Sequence, residues 1–292
     1  MKVGNLGSLC FALLSFTLTI GAAAQAAEKS FLWRATSGDR SVYLLGSIHF
    51  MKQDAYPLNP TIERVFDRAG VVLFETDIDK LDTAAVSMLV AGTLEGDATL
   101  ADVVSTELYD EVFQRLETLG MDIGGFKKMK PWMLALSLTS FELMRADYLG
   151  SEGIDAYFSS RAKADGKPQR ALESIDYQVS LFAEMSEEES ADFLGYTLTE
   201  LDTMIPLVDE IVAAWKIGDS VRIEELLVDG FGGHEALFDR LVTERNLRWL
   251  PLIEELFRGD VDAMVVVGSL HLVGEQGLIE LLKGKGYEIE QL

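Results

Sequence analysis

Two of the three histidines in this chain lie in nearly identical phrases near opposite ends of the sequence. The phrase Gly-Ser-x-His spans residues 46–49 and again residues 268–271, so that it ends in His49 and in His271. Each copy follows a short apolar run that predicts a buried strand. Such a pair indicates a metal or catalytic centre assembled from both ends of the chain. The third histidine, His234, follows two glycines in a predicted loop, and we expect it to face solvent.

A carboxylate joins the two histidines as a candidate ligand. Glu75 follows the apolar residues 71–74 and therefore also emerges at the carboxyl end of a predicted strand. Because ligands bind beyond the strand ends in such sheets, we expect Glu75, His49 and His271 to converge. Two imidazoles and a carboxylate suit Mn, Co, Zn or Fe. The alternative for either histidine alone is a hydrogen-bonded residue in the core or at its rim, and for Glu75 it is an ordinary exposed carboxylate. Asp77 is either a second ligand or a cap of the next helix.

The elements that must position these residues are strands at both ends of the chain. The predicted strands comprise a hairpin within residues 31–45 and single strands at 71–74, 261–267 and 287–289. Between residues 80 and 258 the pattern is helical, except for a short strand at 169–173. Because the terminal strands must share one core, we predict an α/β (α+β) fold: a mixed β-sheet core built from both chain ends, surrounded by helices with a large helical middle segment. No linker divides the chain, and we predict one domain, residues 28–292.

Composition excludes several classes of function. Cys10 is the only cysteine and lies in a predicted leader, so the mature chain has no thiol for nucleophilic, zinc-thiolate or redox chemistry. The formal net charge of −23 repels nucleic acid and anionic lipid, and we predict no nucleic-acid partner. The core alone must stabilise the protein, and a chain of this length can bury enough apolar surface to do so.

The first 27 residues have the features of a secretory signal peptide. Lys2 precedes an apolar run at residues 9–20, and the alanines at 22–27 offer a cleavage site. The alternative is an uncleaved membrane anchor, but the apolar run is shorter than the ~20 residues that a membrane span needs. We therefore predict an exported protein, periplasmic or secreted, with no stable membrane anchor after cleavage.

The order of several short motifs resembles the TraB/GumN family. The motifs are Phe31-Leu32-Trp33-Arg34, both Gly-x-x-His phrases, Glu75, Lys130-Pro131-Trp132, Gly153-Ile154-Asp155, Leu172-Glu173, Arg245-Asn246 and the closing residues 271–278. That family includes the animal metalloprotease Tiki. The resemblance therefore implies mixed β-sheets wrapped by helices, and a metal-dependent peptidase that uses Mn or Co. It also implies His49, Glu75 and His271 as the metal ligands.

Arg245 and Asn246 match a further pattern of the family. The resemblance implies catalytic roles for them beside Glu75, with Arg245 stabilising a developing oxyanion. The alternative is a buried salt bridge and a helix cap. Asp155 and Glu173 either position Arg245 or hold helices together.

The predicted function is a metal-dependent hydrolase, a peptidase acting on a peptide or protein substrate with one divalent ion, Mn, Co or Zn. Water attacks the amide carbonyl, and a nearby carboxylate takes the proton. The alternative is a binding protein of the same fold that holds haem, a metal or a signalling peptide without turnover. Fold alone does not decide between them.

The leader prediction has a direct test. Mass spectrometry of the envelope fraction of an expressing cell should find a mature N-terminus close to Ala27, because signal peptidase cleaves after small residues. Recovery of the intact chain from Met1 onwards in the membrane would contradict the prediction.

Overall fold

The computed structural model describes residues 29–292, apart from the side chains of Leu81, Asp82 and Asp229. The predicted signal peptide, residues 1–27, lies outside the described residues. The described chain is built around a six-stranded sheet. Its strands are β1 (Leu32–Ser37), β2 (Arg40–Ser47), β3 (Val71–Phe74), β4 (Gln169–Ala171), β5 (Ala263–Gly268) and β6 (Glu288–Gln291).

The strand order is β4-β3-β5-β2-β1-β6, so a strand from the end of the chain lies between two strands from its beginning. Strand β5 pairs in parallel with both neighbours, and Val265 lies opposite Leu44 of β2 and Leu73 of β3. Strands β1 and β6 add antiparallel pairs at one edge. The sheet is therefore mixed and built from both chain ends, and the predicted fold class is confirmed.

Helices surround this sheet and account for most of the middle of the chain. They are α1 (Pro60–Arg68), α2 (Leu81–Ala91), α3 (Leu100–Val103), α4 (Thr106–Thr118), α5 (Pro131–Arg145), α6 (Ile154–Ala164), α7 (Ile175–Ala183), α8 (Glu187–Lys216), α9 (Ser220–Val228), α10 (Glu235–Phe238), α11 (Glu244–Leu256) and α12 (Leu278–Gly284). Local sequence explains their starts. Pro60 opens α1 behind the cap Asn59, and Ser186 with Glu189 forms a capping box at α8.

Two apolar clusters hold these elements together. The larger one covers the sheet and includes the fully buried Phe31, Phe66 and Trp249. The smaller one lies between α4, α5 and α8, around residues such as Leu116, Leu138 and Leu194. Within residues 29–292, no helix has both the length and the hydrophobicity that a membrane crossing requires.

The end of β2 is fixed by contacts from both ends of the chain. The indole Nε1 of Trp215, at the end of α8, donates a hydrogen bond of 2.7 Å to the carbonyl of Gly46. A side chain at Gly46 would place its Cβ 2.3 Å from the ring of Phe31 and 2.9 Å from Ser269 Oγ. The first glycine of the repeated phrase is therefore required by close packing behind the site.

Replacing Gly46 by alanine should destabilise the protein by about 1–3 kcal/mol, because the buried Phe31 ring must shift to admit the new carbon. Urea unfolding followed by circular dichroism measures this loss. Gly125→Ala is the control, since nothing lies within 4 Å of the carbon it adds. Equal stability of the two variants would contradict the packing role of Gly46.

Candidate active site

The structure brings His49, Glu75 and His271 together at the carboxyl edge of the sheet. The three residues follow β2, β3 and β5, which are parallel and adjacent, so their carboxyl ends meet. The Nε2 atoms of His49 and His271 lie 4.0 and 3.9 Å from the same atom, Oε1 of Glu75. Glu75 and His271 are buried, whereas 54% of the His49 side chain is exposed. The site is therefore open to solvent on the side of His49.

The ring of His271 is fixed by two neighbours on α11. Nη1 of Arg245 lies 3.0 Å from Nε2 of His271, and because a guanidinium only donates, Nε2 is the acceptor. The proton is therefore on Nδ1, which donates to Oδ1 of Asn246 at 2.8 Å. Asn246 is fully buried, and its Nδ2 donates to the carbonyls of His271 and Gln276. Asn246 lies behind His271 and orients the ring.

His49 is oriented by the start of α6. Its Nδ1 lies 3.0 Å from Oδ2 of Asp155, so Nδ1 is the donor and Nε2 faces Glu75. The helix approaches closely because Gly153 has no side chain; a Cβ there would lie 2.3 Å from the carbonyl oxygen of His49. The motif at 153–155 thus positions His49, and Asp155 does not contact Arg245 as one sequence-based alternative proposed.

Arg245 is the buried cation of the site. It donates to Glu75 and to Glu173, and its Nη1 also reaches the carbonyl of Leu241. Glu173 is held in turn by Nε1 of Trp249 at 2.8 Å. A π-helical turn at Asp239–Thr243 directly precedes α11 and Arg245. Such turns often occur at functional sites. The salt bridge that sequence reasoning offered as an alternative role for Arg245 is present.

The charges of the site follow from these contacts. Burial by itself raises the pKa of Glu75, but the charges of Arg245, His271 and His49 outweigh it and hold this pKa well below its usual range. Burial lowers the pKa of His271 to about 3. The charge of Asp155 raises the pKa of His49 to about 9. Glu75 is therefore ionised and His271 neutral at pH 7, which are the states that bind metals, whereas His49 carries a proton that an ion must displace.

The donor set fits a divalent ion in type and direction. Two ligand bonds of about 2.1 Å at a tetrahedral angle place their donor atoms about 3.4 Å apart, slightly closer than the separations found here. Accordingly, no three His, Cys, Asp or Glu side chains in the described part of the chain are close enough to hold an ion as they stand. Gly268 keeps the space between them open, because a Cβ there would lie 3.2 Å from Glu75 Oε1 and 3.6 Å from His49 Nε2.

An ion bound at these residues would also change the contacts of Arg245. Nε2 of His271 accepts a hydrogen bond from Arg245, and a metal would need the same lone pair. The outer ring nitrogens of both histidines are already held by Asp155 and Asn246, as in protein metal sites generally. The residues therefore fit an ion in their chemistry, provided that the three donor atoms move closer together and Arg245 releases His271.

A cavity of about 560 Å³ opens over these residues. Its lining includes all three candidate ligands and Arg245, together with side chains from α2, α7 and α8. This volume lies in the range of small-molecule and peptide sites. The candidate active site therefore lies at the base of a cleft that can admit a substrate.

Sequence reasoning assigned no role to three polar residues that line the cleft, Gln178, Ser47 and Ser269. Gln178 on α7 donates from Nε2 to Oε2 of Glu75 at 3.1 Å. Ser47 also lines the cavity, and its buried Oγ has no hydrogen-bond partner among the described residues. Gln178 has no recognisable motif around it. Ser47 belongs to the repeated Gly-Ser-x-His phrase, and its place there is the sequence feature that could have identified it as part of the site.

Two other residues singled out from the sequence lie outside the site. Asp77 is half-buried and pairs with Lys80 at 2.8 Å, and it does not line the cavity of the three candidate ligands. His234 begins α10 and does not line this cavity either. Its side chain is half-buried against Tyr196, with ring centroids 4.5 Å apart, so the expectation that it faces solvent was wrong.

With this fold and site, the chain can be compared with known proteins. The sequence profile of the TraB/PrgY/gumN family matches residues 31–291, which include the whole sheet and every residue of the site. The chain therefore belongs to the TraB/PrgY/gumN family, and the resemblance drawn from the ordered motifs is confirmed.

The chain is similar to several individual proteins. The uncharacterized protein YbaP of Escherichia coli (strain K12) is 25% identical over 246 residues, covering 84% of this chain and 89% of YbaP. Metalloprotease TIKI1 of Danio rerio is 21% identical over 316 residues, covering 89% of this chain and 63% of TIKI1. An uncharacterized protein of Treponema pallidum is 21% identical, covering 88% of this chain and 81% of that protein. No solved structure gives a significant match.

Arg245→Met should destabilise the protein by about 3–5 kcal/mol, because Glu75 and Glu173 remain buried without their cation. Adding Glu173→Gln to this variant removes one of the two unpaired charges and should restore part of the loss. Chemical denaturation measures both effects.

The neighbouring arginine supplies the control. Arg248 is exposed and lies over the ring of Tyr177, so Arg248→Met should cost less than about 1 kcal/mol. If Arg245→Met is as stable as Arg248→Met, Arg245 does not hold the site together.

Proposed function

We propose that this protein is a metal-dependent hydrolase, specifically a peptidase, in which His49, Glu75 and His271 hold one divalent ion, Mn, Co or Zn. The observation that carries the proposal is that two imidazole Nε2 atoms face one carboxylate oxygen, each ring oriented through its other nitrogen. The similarity to Metalloprotease TIKI1 supports the choice of reaction. We also propose that the protein acts after export, in the periplasm or outside the cell.

The chemistry that the ion would supply is activation of water and polarisation of the scissile carbonyl. The protein's own residues orient the reactants around it. Asp155 and Asn246 hold the two histidine rings, and the cavity brings the substrate carbonyl to the edge of the sheet. Because Asn246 is buried behind His271, we assign it a positioning role in place of the catalytic role predicted from the sequence.

Arg245 and Glu75 are the charged groups that act on the substrate. The guanidinium of Arg245 lines the cavity, and its charge is held in a buried setting where it stabilises a developing oxyanion more strongly than it would in water. Glu75 is the carboxylate that lines the cavity among the described residues; because its pKa lies well below its usual range, it stays ionised and acts on the substrate through the ion that it would hold.

His49→Ala and His271→Ala should each abolish uptake of Mn or Zn, because two remaining ligands hold an ion far less tightly than three. The double variant should be little worse than either single one, since residues that act as a unit are not additive. Glu75→Gln keeps the shape of the site and should abolish peptide cleavage. Calorimetric titration with each metal and a peptide-library digest measure these outcomes.

His234→Ala is the matched control, since this histidine lies outside the site. It should bind metal and cleave peptides like the wild type. Metal uptake that survives His49→Ala but is lost in His234→Ala would contradict the assignment. Metal binding with no cleavage of any peptide in the library would instead identify a binding protein.

A further inference from the structure

The cleft has charged groups only at its base. Among the described residues that line it, the charged or titratable side chains are the four that form the site: His49, Glu75, Arg245 and His271. The walls above them are apolar and partly exposed, and they come from several elements: Met88, Ile175, Phe182, Val208, Phe231 and Leu241. The base of the cleft can therefore do polar chemistry, whereas the walls can only bind apolar groups.

These walls differ from the rest of the surface. The chain has 48 acidic and 25 basic residues, so charged side chains are plentiful elsewhere. Covering apolar side chains that contact water with an apolar ligand lowers the free energy of the system. A large concave patch of such side chains on a highly charged protein marks a binding surface.

The base of the cleft also offers polar contacts to a ligand. The side chain of His49 is 54% exposed there beside Glu75, and Arg245 lines the same surface. Polar and charged groups lose favourable hydration when apolar atoms cover them, so the base of the cleft favours a polar part of a ligand.

We propose that the substrate is a peptide segment with bulky, uncharged apolar side chains on the residues next to the scissile bond. This inference rests on the proposed peptidase function. The apolar walls bind the side chains, and the polar base receives the carbonyl and amide groups of the peptide backbone. A hydrocarbon chain would fill the walls equally well but would cover the charged groups at the base with apolar atoms, which is costly, so the polar base favours a peptide.

Binding can be measured separately from cleavage. Two fluorescent decapeptides are compared by anisotropy in the presence of a chelator: one contains Leu, Phe, Ala and Gly, and the other replaces every Leu and Phe by alternating Glu and Lys. The apolar peptide should bind at least tenfold more tightly. Equal binding of the two peptides would overturn the proposal, even if the metal-loaded protein cleaves peptides.

Two neighbouring residues of α2 provide a matched pair of variants. Met88 lines the cleft, whereas Leu89 is 53% exposed and does not line it. Met88→Asp should weaken binding of the apolar peptide at least tenfold, because the new charge must lose its water, and Leu89→Asp should leave binding unchanged. If Met88→Asp lowers the melting temperature of the protein, Val208→Asp repeats the test on α8, another helix that lines the cleft.

The remaining outcomes also decide the proposal. Equal effects of Met88→Asp and Leu89→Asp would place the peptide elsewhere and overturn it. A fluorescent dodecanoic acid that binds with sensitivity to Met88→Asp, while neither peptide binds, would identify an acyl-chain site instead. If the apolar peptide binds as expected but no metal gives cleavage, the peptide-binding inference stands and the peptidase function fails.

Discussion

The position of β5 between β2 and β3 is the constraint on which the site depends. Both pairings are parallel, so the three strands end at the same edge and deliver three polar side chains to one place. Strands β3 and β5 are apolar along nearly their whole length, and β2 is apolar over its central residues 42–45, as a sheet covered on both faces requires. A shift of β5 by one residue would turn its buried side chains to the other face and carry His271 away from Glu75. The contacts that fix the register of β5 therefore also bring the three polar side chains together.

The second determinant is the buried charge of Arg245. It contacts Glu75, Glu173 and His271, and so it connects α11 to the ends of three other elements. Its charge holds the pKa of Glu75 well below its usual range, whereas burial is the main reason that the pKa of His271 is low and the ring neutral. The same contact occupies the nitrogen that an ion would use, so a metal bound here would compete with the guanidinium for His271. Arg245 thus stabilises the observed arrangement of the three side chains, and the proposed function also assigns it the charge that stabilises the oxyanion.

The sequence alone was enough to predict the sheet and the meeting of His49, Glu75 and His271 at its edge. Short apolar runs followed by Gly-Ser-x-His, or by Glu75, predict a strand and a polar residue at its end from local sequence alone, whatever the middle of the chain does. The roles of Asp155 and Gln178 carry no such signal, because each depends on how a helix docks against the sheet. The half-buried position of His234 likewise depends on Tyr196, which lies on a different helix. The predicted signal peptide lies outside the described residues and stays a prediction.

The central place of β5 also determines when the protein can fold. Until residue 263 has been synthesised, the earlier strands form two separate pairs, β1 with β2 and β3 with β4, because β2 and β3 have no direct pairing. Each pair then exposes the edge to which β5 will bind, and such edges favour association with other chains. The sheet therefore closes only after nearly the whole polypeptide is available, because β5 pairs with residues 192 positions earlier in β3 and 221 positions earlier in β2. This topology favours folding after synthesis is nearly complete. The incomplete chains, whose strand edges are still exposed, are the forms most prone to associate with other chains.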